Sequence, residues 1–166
     1  MAYLLDANVF IEANRRYYGM DFCPAFWEWL DEQNAAGRVF SIEKVRDEPR
    51  AGGDALADWA AARGADFFLT PDEPMLGSLA AVGEWASRQT YRPAAVSAFL
   101  QDADYYLVAH AHGRGHIVVT HEVPSDGERR VKIPNVCIGM KTKCMTPFEM
   151  LRVERARFVL GRHAAE

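Results

Sequence analysis

Cysteine is scarce in this chain: Cys23, Cys137 and Cys144 are the three in 166 residues, and they are scattered. An odd, scattered set excludes a disulfide framework and lacks the CxxC spacing of a zinc site. Long apolar runs are missing as well. No stretch approaches the ~20 residues needed to cross a bilayer, and the opening Tyr3-Leu4-Leu5 has no basic flank of a signal peptide. A cytoplasmic setting without membrane contact is therefore expected. The phosphate-cradling loops GxxxxGK[ST] and GxGxxG do not occur, nor does the GxSxG elbow of a serine hydrolase. Internal repeats and low-complexity linkers are absent too, so residues 1–166 read as a single domain long enough to bury a core unaided.

What is present is an ordinary globular composition, 49% hydrophobic and 25% charged. The net charge of −4 gives no overall basic attraction to nucleic acid, but it is unevenly spread. Residues 1–110 carry 9 Lys and Arg against 17 Asp and Glu, whereas residues 111–166 carry 10 against 6. An acidic first part beside a basic last part suits a carboxylate site with a phosphate-binding rim.

Short apolar runs alternate with helical patterns. Tyr3–Leu5 reads as a strand, followed by a helix from Val9 with Asn8 as its cap. Pro24 opens a helix on which Phe26, Trp29, Leu30 and Gln33 recur at helical spacing, and Gly37 stops it. Residues 38–42 form a strand; residues 43–48 read as a helix broken by Pro49, and Gly52-Gly53 turns the chain before a helix capped by Asp54. FFLTPDEP is a short extended piece or loop, and EPMLGSLAAVGEWASRQ and PAAVSAFLQ are helical. ADYYLVAHAHGRG is a helix ending at its glycines, ahead of a buried strand over 116–120. VKIPNVCIGM reads as extended, with Pro134 favouring an edge position. TPFEMLRVERARFVLG is a last helix with Thr146 as cap, Pro147 at its first position and Glu149 three residues after the cap. This order predicts an α/β sandwich of three layers around a mainly parallel central sheet.

Four acids fall at the ends of these elements: Asp6 after the first strand, Glu48 on the helix after the second, Asp104 at the start of a helix, and Glu122 past the 116–120 strand. In a parallel sheet the carboxyl ends of the Tyr3–Leu5 and 116–120 strands share one edge, where ligands collect. Carboxylates gathered there repel one another unless a cation neutralises them. Oxygen ligands without His or Cys suit Mg²⁺ or Mn²⁺. Capping by Asp6 is the plainer alternative. His110, His112 and His116 in HAHGRGH instead suit a helix terminus, where cationic His is favoured.

In their order, YLLDANVF, VRDE, DYYLVAHA and VVTHE resemble the four acidic motifs of PIN-domain ribonucleases, whose bacterial VapC-type toxins are the best-known members. FCPAFWEWLD, SIEKVRDE, VKIPNVC and FEMLR extend the similarity, to an uncharacterised PIN-like branch, along nearly the whole chain. The resemblance implies an α/β/α sandwich and Mg²⁺- or Mn²⁺-dependent RNA cleavage leaving a 5′-phosphate and a 3′-hydroxyl. It implies Asp6, Glu48, Asp104 and Glu122 as catalytic metal ligands that activate a water, with Asn8 and Thr120 in support. It further implies a cognate antitoxin as partner and a homodimer. Two departures stand out. The fourth acid is Glu122 where the family has Asp, and Asp47 adjoins Glu48 ahead of Pro49, leaving either as the second ligand.

Arg15, Arg16 and Arg114 are candidate RNA contacts, and Arg129, Arg130, Lys132, Lys141 and Lys143 are further phosphate-binding candidates. Tyr17, Tyr18, Tyr105 and Tyr106 are candidates for base stacking, against a core role for at least one of each pair. Two rival readings stay open: a catalytically weak PIN-like module that binds RNA or protein, and a metal-dependent phosphatase or DNA nuclease on the same acids.

Overall fold

A computed structural model describes residues 1–48 and 54–161. The strands are β1 (Tyr3–Leu5), β2 (Val39–Ile42), β3 (Phe68–Leu69), β4 (Ile117–Val119) and β5 (Cys144–Met145). The helices are α1 (Ala7–Glu12), α2 (Pro24–Ala35), α3 (Glu43–Arg46), α4 (Asp54–Ala61), α5 (Glu73–Arg88), α6 (Pro93–Gln101), α7 (Ala103–Arg114), α8 (Ile133–Gly139) and α9 (Pro147–Val153). A π-helical turn over Ala13–Tyr17 continues α1.

The five strands form one all-parallel sheet in the order β3-β2-β1-β4-β5, flanked by helices as expected for a three-layer sandwich. β1 is central, and Tyr3, Leu4 and Leu5 are all buried, as a strand covered on both faces requires. It pairs Tyr3 with Val39 on one side, and Tyr3, Leu4 and Leu5 with Ile117, Val118 and Val119 on the other. From β1 the chain builds outward to β2 and β3, then returns to lay β4 and β5 on the opposite flank. The reversal makes a switch point between β1 and β4, which opens a crevice at their carboxyl ends. Below it lies a core that includes Phe10, Phe26, Leu30, Leu56, Leu107, Ile133 and Met150. Trp27 and Trp59 pack edge to face, 5.0 Å between centroids, and so serve this core.

Four local expectations are corrected. Helix α1 starts at Ala7 with Asp6 at the cap position, and Asn8 is an exposed residue of its first turn. Helix α3 ends at Arg46, so Asp47 and Glu48 lie beyond it. The VKIPNVCIGM segment is not extended but contains α8. Pro134 does not mark an edge strand, because it sits in the first helical turn, where its missing N–H has no partner to lose; the edge strand on this flank is β5. The last helix stops at Val153, with Arg155 in the left-handed region at φ 55°, and the following arm packs Phe158 on Tyr18 and Phe26. Its expected start holds: Thr146 and Glu149 form a capping box. The expected break at Pro49 and the turn at Gly52-Gly53 lie outside the described residues. Among the described residues no helix is long and apolar enough to cross a membrane.

Candidate functional site

The crevice is built by short-range chain geometry. Leu5 ends β1, and the Asp6 N–H still bonds the Val119 carbonyl at 3.0 Å, so this acid is fixed to both central strands. Asp6 is 2% exposed, and its carboxylate accepts a 3.0 Å hydrogen bond from the Thr120 hydroxyl. The same hydroxyl oxygen accepts the Glu122 N–H at 3.1 Å. Ser41, also buried, donates to the Leu5 carbonyl at 2.7 Å and steadies the end of β1 from β2.

Asp104 enters from α7, whose cap residue Asp102 accepts the Asp104 N–H at 3.3 Å. Among the described residues no donor reaches the Asp104 carboxylate, and no ion pair engages Asp6 or Asp104. Burial is the main reason that both carboxyls are raised: Asp6 to about 7, where the Thr120 bond opposes the rise and Glu122 and Glu48 add to it. Asp104 is raised to about 9, with Asp6, Asp102, Glu122 and Glu48 adding repulsion to burial. Glu48 stands in the exposed turn after α3, yet its carboxyl is partly covered and raised by burial and by Asp102. Asp47 instead lines a separate hollow with Arg46, Ala57 and Ala61. Of the two neighbouring acids, Glu48 is thus the one that acts on the crevice.

Glu122 is held differently. Its Oε1 accepts Arg130 Nη2 and its Oε2 accepts the Ile133 N–H, both at 2.8 Å. Among the described residues no group of three His, Cys, Asp or Glu side chains is gathered tightly enough to hold a metal ion as it stands. A hollow of about 200 Å³ beside the acids is lined by Asp102, Asp104, Arg129, Arg130, Val131 and Phe99, among others. A larger one of about 520 Å³, beside Trp85, Tyr91 and Asn135, contains none of the four acids and is not the site favoured by charge.

The sequence-derived cations separate. Arg114 ends α7 and pairs with Asp72 at 2.9 Å; ten residues of helix, ~15 Å, separate it from Asp104, and it lies at the opposite edge of the sheet. Arg15 and Arg16 are exposed and face Glu12 at 3.9 and 3.2 Å. Tyr17 next to them stacks on His121 with 5.5 Å between centroids, which keeps this turn near the crevice end of β4. Tyr18 packs on Phe26 and Tyr105 bonds the Leu79 carbonyl, so both serve packing. His110, His112 and His116 lie toward the opposite edge: His112 bonds Ser78 at 2.8 Å and His116 accepts the Ala2 N–H at 3.2 Å. Burial lowers the pKa of His110 and of His116, against the cationic helix terminus expected of them. Sequence reasoning missed the bracket that Arg130 and Ile133 make around Glu122, because it requires α8 where an extended segment was expected.

Fold and site together define an α/β protein with an acidic crevice at the switch point of a parallel sheet. The family model described as a domain of unknown function (DUF4411) matches residues 3–158, and the chain belongs to that family. No curated protein and no solved structure matches the chain.

Proposed function

We propose that this protein is a Mg²⁺- or Mn²⁺-dependent endoribonuclease of PIN-like type, the toxin of a toxin–antitoxin pair. One observation carries the reading: two carboxyls, Asp6 and Asp104, are raised together in a switch-point crevice with no cationic side chain among the described residues engaging either. Near neutral pH such a pair does not ionise fully by itself, and a bound cation favours the doubly ionised form.

The donors fit a hard divalent ion, since they are oxygens only. Mg²⁺ commonly takes one or two carboxylates and completes its shell with waters and phosphate oxygens, so a cage of three acids is not required. Asp6 and Asp104 would hold it, with Glu48 reaching in from its turn. When bound, such an ion supplies a water of lowered pKa and neutralises charge on a phosphodiester. Thr120 fixes one oxygen of Asp6 by its 3.0 Å bond. Asp102 caps α7 and holds Asp104 at the crevice mouth. Of the basic last third, Arg129 and Arg130 line the hollow with Asp104 and would supply attraction to RNA phosphates, whereas Lys141 and Lys143 lie with His116 at the opposite edge.

The rival reading, a PIN-like module that binds RNA or protein without cutting, draws on the absence of a tight group of three ligands among the described residues. Incubation with total RNA and tRNA, with and without Mg²⁺ or Mn²⁺, tests the choice. Metal-dependent cutting that is lost in both Asp6→Asn and Asp104→Asn is expected. Cutting that survives both substitutions, or none by folded protein with metal bound, would overturn the proposal. Single-stranded DNA and a phosphomonoester in the same panel separate a DNA nuclease or a phosphatase.

A further inference from the structure

The four acids do not do the same job. Asp104 has no donor among the described residues, whereas each oxygen of Glu122 accepts a 2.8 Å hydrogen bond, one of them from the guanidinium of Arg130. Arg130 and Asp104 line the same hollow of about 200 Å³. Arg130 is largely open to solvent, with 62% of its side chain exposed, while that of Glu122 is only 9% exposed. A largely covered carboxylate therefore holds one nitrogen of an exposed guanidinium at the mouth of the acidic hollow. A guanidinium has five N–H donors in a planar fork, so one engaged nitrogen leaves others free for a further anion. Phosphate oxygens match that fork, and carboxylates without a cation and an arginine with donors to spare line one hollow.

We infer that Arg130 binds a backbone phosphate of single-stranded RNA at the mouth of this hollow, and that Glu122 is the residue that positions Arg130 and not a metal ligand. The inference rests on the nuclease reading for its substrate class, but it assigns Glu122 a role different from that of Asp6 and Asp104. The helix α8 makes this possible: the Ile133 N–H, free at the start of the helix, takes the second oxygen of Glu122 and fixes the carboxylate plane. Asp would be one methylene shorter at this position, and the longer Glu spans from the end of β4 to both partners.

The test measures binding of a fluorescently labelled single-stranded RNA 12-mer by anisotropy across a salt series, with Ca²⁺ in place of Mg²⁺ and Mn²⁺ so that the RNA is bound and not cut. Mn²⁺ affinity is measured in parallel by calorimetry. The proteins are wild type, Arg130→Gln, Arg130→Lys, Glu122→Gln and Asp104→Asn. Arg130→Gln should weaken RNA binding about tenfold and reduce the slope of log Kd against log salt by about 0.7, the value for one phosphate contact to a single strand. Arg130→Lys should keep the slope and recover part of the affinity. Glu122→Gln should weaken RNA binding while holding Mn²⁺ affinity within about twofold, in contrast to Asp104→Asn, which loses Mn²⁺. Wild-type RNA affinity and slope in Arg130→Gln would overturn the phosphate contact. Loss of Mn²⁺ in Glu122→Gln to the extent seen in Asp104→Asn would overturn the positioning role. If wild type binds no RNA, the nuclease reading fails and the inference with it, a result distinct from failure of the Arg130 variants alone.

Discussion

Replacing Asp104 with Asn should stabilise the metal-free protein near neutral pH, although the residue is proposed to be essential for activity. Its carboxyl is raised from 3.8 to about 9 by burial and by four neighbouring acids, and no donor among the described residues compensates. A carboxyl raised on folding contributes its full stability below the ordinary carboxylate range. That contribution is lost as pH climbs from about 4 toward about 9, because the unfolded chain gives up the proton first. At pH 7 roughly three pH units separate the medium from the ordinary value, which sets a ceiling of about 4 kcal/mol. Asp104 shares its repulsion with Asp6, and protonation of either relieves the other. About half the ceiling, ~2 kcal/mol, is therefore the expected gain, equivalent to about 4–8 °C in a domain of this size. Differential scanning calorimetry in EDTA between pH 4 and 9 measures it. The gap between variant and wild type should be near zero at pH 4 and widen with pH, and Mn²⁺ should raise the melting temperature of wild type only. A variant that melts at or below wild type at pH 7.5 in EDTA would refute the repulsion argument.

Three further outcomes are expected. Thr120→Val removes the donor to Asp6 and the acceptor for the Glu122 N–H; it should cost about 1–3 kcal/mol and lower Mn²⁺ affinity about 10- to 100-fold, and calorimetry showing neither effect would contradict the placement of that hydroxyl. Gly113→Ala brings a Cβ to 2.5 Å from the Pro74 carbonyl oxygen, where α7 packs on α5; thermal denaturation should show a loss of about 1–3 kcal/mol, and an unchanged melting temperature would count against that close approach. Arg114→Ala breaks only the partly exposed pair with Asp72; it should change stability by less than about 1 kcal/mol and leave RNA affinity as it was, whereas a loss like that of Arg130→Gln would contradict its position at the far edge of the sheet.

The elements legible in the sequence are those whose signal is local. Tyr3–Leu5, the strand leading into Val119 and the helix ending at Gly115 carry apolar runs or a glycine stop. Gly115 takes φ 69°, the left-handed geometry that ends α7. The Thr146 capping box was readable for the same reason. The two-residue strands β3 and β5 carry too little pattern of their own and exist through pairing with Ser41–Ile42 and Val118–Val119. VKIPNVCIGM reads as extended with Pro134 at an edge, but Pro134 belongs to a first helical turn and Val136 and Cys137 are buried on α8. Tertiary packing decided that segment, as it also shortened the last helix, where Phe158 leaves the helical path to meet Tyr18 and Phe26. At the site, a parallel strand order puts Asp6 and Glu122 just past the carboxyl ends of β1 and β4, and the apolar pattern of 103–114 puts Asp104 at the start of a helix. What did not follow was the partner of Glu122, since a hydrogen bond across eight residues to Arg130 leaves no periodic trace.

Whether Asp6 and Asp104 hold a divalent ion is decided by titrating Mn²⁺ into the folded, metal-free protein and following loss of the free-ion electron paramagnetic resonance signal. Wild type should take up Mn²⁺ and release protons near pH 7 as Asp6 and Asp104 ionise, and Asp6→Asn and Asp104→Asn should each abolish uptake. Uptake that is unchanged in the two variants, or none by folded wild type at millimolar Mn²⁺, would contradict metal binding by these two carboxylates.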